Sequence, residues 1–415
     1  MKITLFKTFT ALICTVILTI NGAGFAAESE KALPAKTPYN KQYVDILWNT
    51  KEGENVGVPI ADGETLLLPS LNKILKLSEK DGNILGIAEL SEKVSTEFSG
   101  AVLDGRLIQP ARTSLFAVDT NSMEVIGGAQ FGEITTDVGI TADHAYFGYK
   151  TDNENKFICA DINNGFEKVW EYSSAYEMTS PTFFDDWIIF ASGSSLIVHS
   201  PDNEEYVSND IGAEITHVFT GKYAVFMTAK NGSLYKLRLN DDGTAEEDSL
   251  ISCEIGGTLT APAELDNRVY VSSDEGFFVI DGLNMEVRES YTEMKNASAP
   301  VICYGNGQRV YTAAPHSDPS GDRWYLYSIL DSEDELTVSE VAKIIDFSNG
   351  KVAVSQSGIM YFRDAHGQLW AIAETHPSVF MMILKVVLML IIITLLILIL
   401  RAWAKRRSAK RPPQY

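Results

Sequence analysis

Cysteine is scarce in this chain of 415 residues, which contains only four. Cys14 lies in an apolar stretch near the N-terminus, whereas Cys159, Cys253 and Cys303 lie far apart in apolar segments with strand character. Three is an odd number, so we predict small buried thiols, with one disulfide of undetermined pairing as the alternative. A domain built on a framework of disulfides is excluded.

Motifs of the common catalytic and metal sites are also missing. The six histidines are scattered without the spacing of a zinc site, and neither a Gly-x-Ser-x-Gly elbow nor a phosphate-binding loop occurs. Two acidic stretches, 241–248 and 331–335, contain oxygen ligands that calcium prefers but lack the alternating Asp-x-Asp-x-Asp-Gly pattern. We interpret them as solvated loop charge, so the sequence predicts no catalytic residue, no cofactor and no metal site.

Positive charge is in deficit along the chain. Lysine and arginine number 34 against 55 aspartates and glutamates, a net charge of −21. Nine of the basic residues lie in the two terminal segments, so the region between them is more acidic still. A field of this sign repels nucleic acid, other polyanions and anionic lipid headgroups. We therefore predict no nucleic-acid partner, and the same charge keeps the domain soluble.

A repeat of about 42 residues runs along the chain. Each unit contains a short β-branched and aromatic run, preceded by a turn rich in Asp, Asn and Gly and followed by a second such run. The middle of the first run falls at Leu67, Ile108, Phe147, Ile189, Val225, Tyr270, Tyr311 and Tyr361. This period is typical of a propeller. We predict an all-β, about eight-bladed β-propeller of four-stranded antiparallel blades, plus one C-terminal transmembrane helix; seven blades is the alternative.

The best-formed unit carries a family pattern. In it, Cys159-Ala160-Asp161 runs through Gly165 to Trp170 after a pair of predicted strands. This arrangement resembles the repeat of the quinoprotein, or PQQ-binding-like, β-propeller superfamily. The resemblance covers roughly residues 43–374 and implies the propeller fold.

Departures from the family argue against its chemistry. Quinoprotein dehydrogenases of this superfamily typically use Glu, Asn and Asp at a calcium ion, an arginine near the quinone, often adjacent cysteines, and a regular girdle of tryptophans. In three other units Gly86, Gly127 and Glu289 stand where the family has tryptophan, and no two cysteines are adjacent. The resemblance therefore implies a non-catalytic member without a cofactor.

Residues 1–26 have the features of a signal peptide. Two lysines precede an apolar stretch from Phe9 to Ile20, and Gly24 and Ala26 fit the −3 and −1 positions of a cleavage site. An uncleaved anchor is the alternative, although the apolar stretch is short for a membrane span. Residues 27–42 are polar with two prolines, and we predict that they form a linker.

Residues 379–400 are apolar and contain a single charge, Lys385. Six lysines and arginines follow in residues 401–415. An apolar run of this length spans a membrane as a helix, and dense positive charge marks the cytoplasmic side. We therefore predict a single-pass cell-membrane protein with its N-terminal propeller outside and its C-terminal tail in the cytoplasm.

The propeller is predicted to occupy residues 43–375, yet its last unit ends at Glu374 without a fourth strand. Residues 43–48, upstream of the first full unit, read YVDILW and supply a candidate strand. Such a strand would complete the last blade and join the two ends of the ring. The alternative is a strand or linker that merely leads to the first blade.

The longest insertions lie in the seventh unit. Residues 315–322 lengthen one hairpin, and residues 331–340 add an acidic loop. Long loops on a rigid scaffold often carry function, so we predict a partner-binding site there; a tolerated surface insertion is the alternative. The candidate binding residues are His316, Asp318, Asp322, Asp331, Glu333, Asp334 and Glu335.

These observations favour a membrane-anchored extracytoplasmic propeller that acts as a protein-binding or scaffold module of the bacterial cell envelope. Its partner would be another envelope or membrane protein with a basic patch. A quinone-dependent (PQQ) oxidoreductase and an envelope glycan-binding protein are the alternatives. The propeller subunit of the bacterial outer-membrane protein assembly machinery has similar repeats and is a scaffold. This chain lacks a lipoprotein cysteine and has a predicted C-terminal membrane helix, so that role is not carried over.

Overall fold

The computed structural model describes residues 44–50, 57–200, 206–303, 309–318, 321–331, 336–344, 352–363, 368–374, 387–395 and 397–399. Its strands form eight antiparallel sheets, each of which is one blade of a β-propeller. Seven sheets have four strands and one has five. The all-β propeller predicted from the repeat is confirmed, and the number of blades is eight.

The strands follow one another in the chain and in each sheet, apart from the first, β1 (Val44–Asn49), and from two short strands of blade 3 that both pair with the strand after them. Blades 1 and 2 contain β2 (Ile60–Asp62), β3 (Thr65–Ser70), β4 (Lys73–Ser78), β5 (Ile84–Glu89), β6 (Ala101–Leu103), β7 (Arg106–Pro110), β8 (Ser114–Asp119) and β9 (Glu124–Gln130). Blades 3 and 4 contain β10 (Glu133–Ile134), β11 (Gly139–Ile140), β12 (His144–Lys150), β13 (Asn155–Asp161), β14 (Glu167–Ser174), β15 (Thr182–Phe184), β16 (Trp187–Ser192), β17 (Ser195–His199) and β18 (Tyr206–Asp210).

The second half of the ring repeats this order. Blades 5 and 6 contain β19 (Ile215–Thr220), β20 (Val225–Ala229), β21 (Ser233–Leu237), β22 (Ile251–Glu254), β23 (Ala263–Leu265), β24 (Arg268–Ser272), β25 (Phe277–Asp281) and β26 (Glu286–Tyr291). Blades 7 and 8 contain β27 (Val301–Cys303), β28 (Arg309–Asp318), β29 (Gly321–Asp331), β30 (Leu336–Ile344), β31 (Ala353–Val354), β32 (Ile359–Arg363) and β33 (Leu369–Glu374).

Letters A to D name the strands of each blade from the inside outward. The A strands of neighbouring blades contact one another, which places them around the axis. Strand B is the most deeply buried, because neighbouring blades cover both of its faces; every residue of β24 is buried, whereas most of β9 is exposed. Tyrosine takes the central position of strand B in four blades, where it is fully buried, at Tyr146, Tyr270, Tyr311 and Tyr361.

An aspartate that ends strand C forms a turn in several units. Its carboxylate accepts hydrogen bonds from the backbone N–H groups two and three residues later, which closes the turn locally. The aspartates are Asp119, Asp161 and Asp281. After the first two turns, Met123 and Phe166 adopt φ values of 58° and 64° and are buried. This geometry explains the recurring aspartate in the sequence repeat.

The N-terminal strand closes the ring. β1 pairs antiparallel with β33 and is the outermost strand of blade 8, so the predicted closure is confirmed. Trp48 of β1 packs in a cluster with Leu66 and Leu68 of blade 1, and its Nε1 donates to the carbonyl of Glu79 at 2.8 Å. The carboxylate of Glu79 accepts from the Tyr361 hydroxyl of blade 8 at 3.1 Å. One strand therefore joins the last blade to the first.

The propeller has two faces, named here by their turns. The BC face carries the turns between strands B and C, and the AB face carries the turns between A and B and between C and D. In blade 8, Val44 of β1 is the register partner of Glu374 of β33. The chain therefore enters and leaves the propeller at one place on the AB face.

Blade 7 has the lengthened hairpin that the sequence predicts, and the added residues are strand rather than loop. Its strands β28 and β29 continue as one hairpin up to the pair Asp318 and Gly321, because antiparallel pairing satisfies backbone groups that a loop would leave to water. Strand β30 begins at Leu336, so most of the predicted acidic loop 331–340 is strand as well.

Helical residues at 387–395 and 397–399 lie within the predicted membrane span 379–400, which falls partly outside the described residues. Among the described residues, no helix is both long and apolar enough to cross a membrane. The predicted signal peptide 1–26, linker 27–42 and basic tail 401–415 also lie outside the described residues.

Three cysteines lie within the described part of the propeller. Cys159, Cys253 and Cys303 are free and buried, which confirms the prediction of small buried thiols and removes the alternative of a disulfide between them. Burial raises the pKa of Cys159 to about 12. These thiols act as core side chains.

Candidate functional site

A cavity of about 600 Å³ opens on the propeller axis at the BC face. Its walls come from the segments leading into strand A of blades 3, 6, 7 and 8 and from the B–C turn of blade 6. Blades 3 and 7 stand opposite each other in a ring of eight, so a cavity that touches both lies at the centre. We call it the axial pocket. Its lining residues are Asp137, Thr258, Thr260, Ala261, Ser273, Asp274, Asn296, Ala297, Ser298, Ala299, Val301 and Val352.

A recurring hydroxyl group holds the segment before strand A. In four blades the side chain of a Thr or Ser accepts a hydrogen bond from a backbone N–H of strand B. The pairs are Thr136–Gly148 at 2.7 Å, Thr179–Ala191 at 2.9 Å, Thr260–Ser272 at 3.3 Å and Ser298–Ala313 at 3.0 Å. The bond satisfies a donor that has no ladder partner there. In blades 3, 6 and 7 the next residue, Asp137, Ala261 or Ala299, lines the axial pocket.

Asp137 is fixed by the blades on either side of it. One carboxylate oxygen accepts the backbone N–H of Ser99 from blade 2 at 2.7 Å. The other accepts the Ser180 hydroxyl of blade 4 at 3.2 Å, and the backbone N–H of Asp137 donates to the same hydroxyl at 3.0 Å. These bonds join three blades around the axis and leave the carboxylate in one orientation.

Asp274 stands at the exposed rim of the pocket, in the B–C turn of blade 6. Its Oδ1 accepts the backbone N–H of Thr258 at 2.8 Å. Gly257 precedes that residue with φ of +69°, and a Cβ added there would lie 1.8 Å from the same oxygen. Only glycine permits this approach, so the local sequence is what positions the second carboxylate.

The lining combines carboxylates and hydroxyl groups with small apolar side chains. None of the twelve lining residues that the structure describes is Lys, Arg or His. The pocket therefore presents negative charge and hydrogen-bond acceptors beside walls of alanine and valine. Positively charged or amphipathic groups complement such a surface.

Neither a metal centre nor a base beside a nucleophile occurs in the described part of the pocket. Across the described residues, no group of three or more His, Cys, Asp or Glu side chains is placed to hold a metal ion. Among the histidines whose side chains the structure describes, His144, His199 and His217, none lines the pocket. The pocket's hydroxyl groups can bind a ligand, and none of these three imidazoles lies beside them.

The binding residues predicted in blade 7 do not come together. The backbone positions of His316, Asp318 and Asp322 lie at the tip of the hairpin on the BC face. Asp331 ends β29 on the AB face, about 30 Å away at the usual rise of a strand. Glu333, Asp334 and Glu335 are outside the described residues. Only the first group shares a face with the axial pocket.

The hairpin projects beyond its own blade. In blade 6 the B–C turn follows Ser272. The equivalent residue of blade 7 is Ala313, because the backbone N–H of each donates to the recurring hydroxyl group of its own blade. Strand β28 continues for five more residues, to Asp318, which extends the hairpin by about 15 Å. The BC face thus has a concave centre and one tall edge.

Sequence reasoning missed the residues of the axial pocket. They are mostly alanine, serine, threonine and valine, which no motif marks as functional. A weak signal was present, since Met178-Thr-Ser-Pro, Leu259-Thr-Ala-Pro and Ala297-Ser-Ala-Pro recur before strand A. The repeat points to the segments that form the pocket but not to the blades that contribute to it.

The family's tryptophan position holds tryptophan in one blade and glycine in two others. Cys159 pairs with Trp170, Lys76 with Gly86 and Ala117 with Gly127, each just before a register shift between strands C and D. Gly86 is covered by Met123 of the next blade, whose Cγ would lie 2.6 Å from an added Cβ. Gly127 borders one of two adjoining cavities of about 210 Å³ each between blades 2 and 3, which share Arg106 and Ile162.

Trp170 occupies the same position in blade 3 and fills the space there. Its ring stacks on His199 of blade 4, with 3.6 Å between ring centroids, and on Phe157. His199 is 2% exposed. Burial lowers the pKa of His199, and a hydrogen bond between its Nδ1 and the carbonyl of Ser200 offsets only part of this effect. The histidine is therefore a neutral packing partner at pH 7.

Comparison with known proteins addresses the fold. No family model matches the chain, and none of the curated proteins matches it. Among solved structures, the crystal structure of BamB from Moraxella catarrhalis is similar, with a TM-score of 0.59 at 13% identity; the match covers 80% of this chain and 99% of that one. The chain is a β-propeller.

Two further structures agree with this. The computationally designed Ika8 protein matches with a TM-score of 0.57 at 14% identity, over 80% of this chain and 99% of that one. Sqt1 from Saccharomyces cerevisiae matches with a TM-score of 0.57 at 11% identity, over 80% and 98%. At such identities the likeness shows the fold alone, and the resemblance to PQQ-binding-like repeats stays an interpretation of the sequence.

Proposed function

We propose that this protein is a protein-binding or scaffold module of the bacterial cell envelope, anchored in the membrane with its propeller outside the cytoplasm. The observation that carries the proposal is that the axial pocket and the projecting blade 7 hairpin share the BC face. A rigid ring with a concave centre and a raised edge offers a shaped surface for docking. The partner is another envelope or membrane protein.

The membrane anchor is residues 379–400, an apolar stretch followed by a basic tail. The pairing of Val44 with Glu374 supports an orientation in which the AB face is nearest the membrane. The chain leaves the ring on that face, only five residues before the proposed anchor begins at position 379. A tether at that face turns the BC face away from the bilayer. The docking surface is then open to partners that rise from the membrane or approach from outside.

Photocrosslinking in cells tests the docking face. A photoreactive amino acid at Ser317, near the tip of the hairpin, is expected to give discrete adducts with one protein, and the same group at Leu283, on the AB face, is expected to give none. Adducts only with other copies of this chain, or only with glycans, would contradict the proposal and favour glycan binding.

Protease digestion tests the topology separately. In intact spheroplasts that express the full chain with a tag after Tyr415, external protease is expected to remove the propeller and spare the tag. A protected propeller with a digested tag would mean that the orientation is wrong.

Binding rather than catalysis is the proposed role. The full chain supplied with PQQ and Ca²⁺ is expected to show no dye-linked oxidation of alcohols or sugars. Saturable PQQ binding with turnover would replace the scaffold proposal with an oxidoreductase.

A further inference from the structure

The lining of the axial pocket matches one kind of side chain. Asp137 and Asp274 supply negative charge, while Ala299, Val301 and Val352 supply apolar wall. We infer that the pocket receives a lysine or arginine side chain from an extended segment of the protein partner. The inference rests on the proposed function and specifies the chemistry by which the partner is recognised.

Lysine and arginine each join an apolar stem to a cationic head. Val301 and Val352 come from blades 7 and 8, across the axis from Asp137 of blade 3. A stem that packs on the valines can direct its head toward the carboxylates. An acidic or phosphorylated segment would meet like charge, and a purely apolar one would desolvate the carboxylates without compensation.

Both carboxylates are already in place before a partner binds. Asp137 is held by the Ser99 N–H and the Ser180 hydroxyl, and Asp274 is held by the Thr258 N–H. Preorganised groups lose little freedom on association, which favours affinity. The net charge of −21 acts in the same direction by attracting a basic segment from a distance.

The volume of the pocket indicates that more than one residue of the partner enters it. A volume of about 600 Å³ falls within the range of about 300–1,000 Å³ that is usual for ligand sites. A cationic side chain together with the neighbouring residues of an extended segment fits such a space. The projecting hairpin then stands beside the rest of the partner.

The first experiment maps what enters the pocket. A photoreactive amino acid replaces Asn296, an exposed pocket residue, in the full chain in native membranes, with Ser317 as the parallel position on the hairpin. We expect the Asn296 adduct to lie within a few residues of a lysine or arginine of the partner. Adducts from Ser317 without any from Asn296, or an Asn296 adduct on a segment lacking basic residues, would overturn the inference and leave the proposed function standing. Adducts from neither position would remove both.

The second experiment measures the charge contribution. The mapped segment is synthesised as a labelled peptide, with a second version in which its basic residue is glutamine, and both are titrated with full chain. Asp274→Asn keeps the acceptor for the Thr258 N–H and removes only the charge. The matched control is Asp281→Asn, the same change in a turn of the same blade on the AB face, where Asp281 also accepts backbone N–H groups.

We expect Asp274→Asn to weaken binding of the basic peptide about two- to fivefold, the range of an exposed charge pair. The glutamine peptide should bind Asp274→Asn and the unchanged chain equally, because the pair is then already broken. Asp281→Asn should have little effect. Equal weakening by Asp281→Asn and Asp274→Asn, or the same loss with the glutamine peptide, would show a general field rather than a pocket and overturn the inference.

Discussion

The interface between blades 3 and 4 contains Trp170 where the interface between blades 2 and 3 contains Gly127. In the first, an indole stacks on His199 and closes the gap; in the second, two cavities of about 210 Å³ remain. Between blades 1 and 2 the position is Gly86, and Met123 of the next blade covers it. One repeat thus packs its blades in three ways, and the ring tolerates a missing side chain where a neighbour or a small cavity replaces it.

The largest expected effect comes from removing the indole. Trp170→Ala should lower the free energy of unfolding by about 3–5 kcal/mol, because a buried aromatic ring is lost between two blades. Its neighbour Val169 is exposed on the same strand, so Val169→Ala should cost less than about 1 kcal/mol. Urea unfolding of the full chain measures both. A small effect at Trp170 would mean that the stacked ring contributes little to the interface.

The two glycines should respond differently to the same change. In Gly86→Ala the new methyl meets Met123 Cγ at 2.6 Å, so a loss of about 1–3 kcal/mol is expected from overpacking. In Gly127→Ala the nearest heavy atom is Ala117 Cβ at 3.9 Å, so stability should hold or rise by up to about 1 kcal/mol. Equal responses in urea unfolding would contradict the packing difference between the two interfaces.

Restoring tryptophan at the empty position sharpens the comparison further. Gly127→Trp should fill the space between blades 2 and 3 and raise stability by about 0.5–2 kcal/mol, as cavity filling commonly does. Gly86→Trp is the control and should destabilise, because Met123 already occupies its space. A lower melting temperature for Gly127→Trp would show that the cavity cannot accept an indole.

The smallest effect concerns pH at the filled interface. Burial lowers the pKa of His199, so the unfolded chain binds a proton at this residue before the folded chain does. Above about pH 6.5, the pKa of histidine in the unfolded chain, His199 does not lower the free energy of unfolding. As pH falls below that value, the free energy of unfolding decreases by at most about 1.4 kcal/mol per pH unit. His199→Phe keeps a stacking ring without the titration. Melting temperatures between pH 7.5 and 5.5 should therefore fall less in this variant than in the unchanged chain.

Several features of the fold were predicted because they have local causes. The turn aspartates recur because Asp119 and Asp161 each bond their own following backbone, which requires no distant residue. The strand at residues 43–48 was identified because the last unit ends one strand short, and β1 pairs with β33 as expected. The repeat position in unit 3 was placed at Phe147, yet Tyr146 pairs with strand A; strand B is buried on both faces, so alternation does not indicate its register there.

Other features depend on residues that are distant in the chain. The lengthening of the blade 7 hairpin was predicted, but pairing with β29 makes the added residues strand rather than loop. The cavities between blades also depend on distant residues. Gly86 and Gly127 occupy the same position of the repeat, and they differ only in the side chain that the next blade places against them.

By itself the sequence determined the repeat, the strand that closes the ring and the negative charge, because each arises from residues close together or from simple counts. Only the tertiary structure decided that Asp137 and Val352 line one pocket and that the blade 7 hairpin stands on the same face. Ring closure brings together segments more than two hundred residues apart, and their alanines, serines and valines carry no signal until the ring is formed.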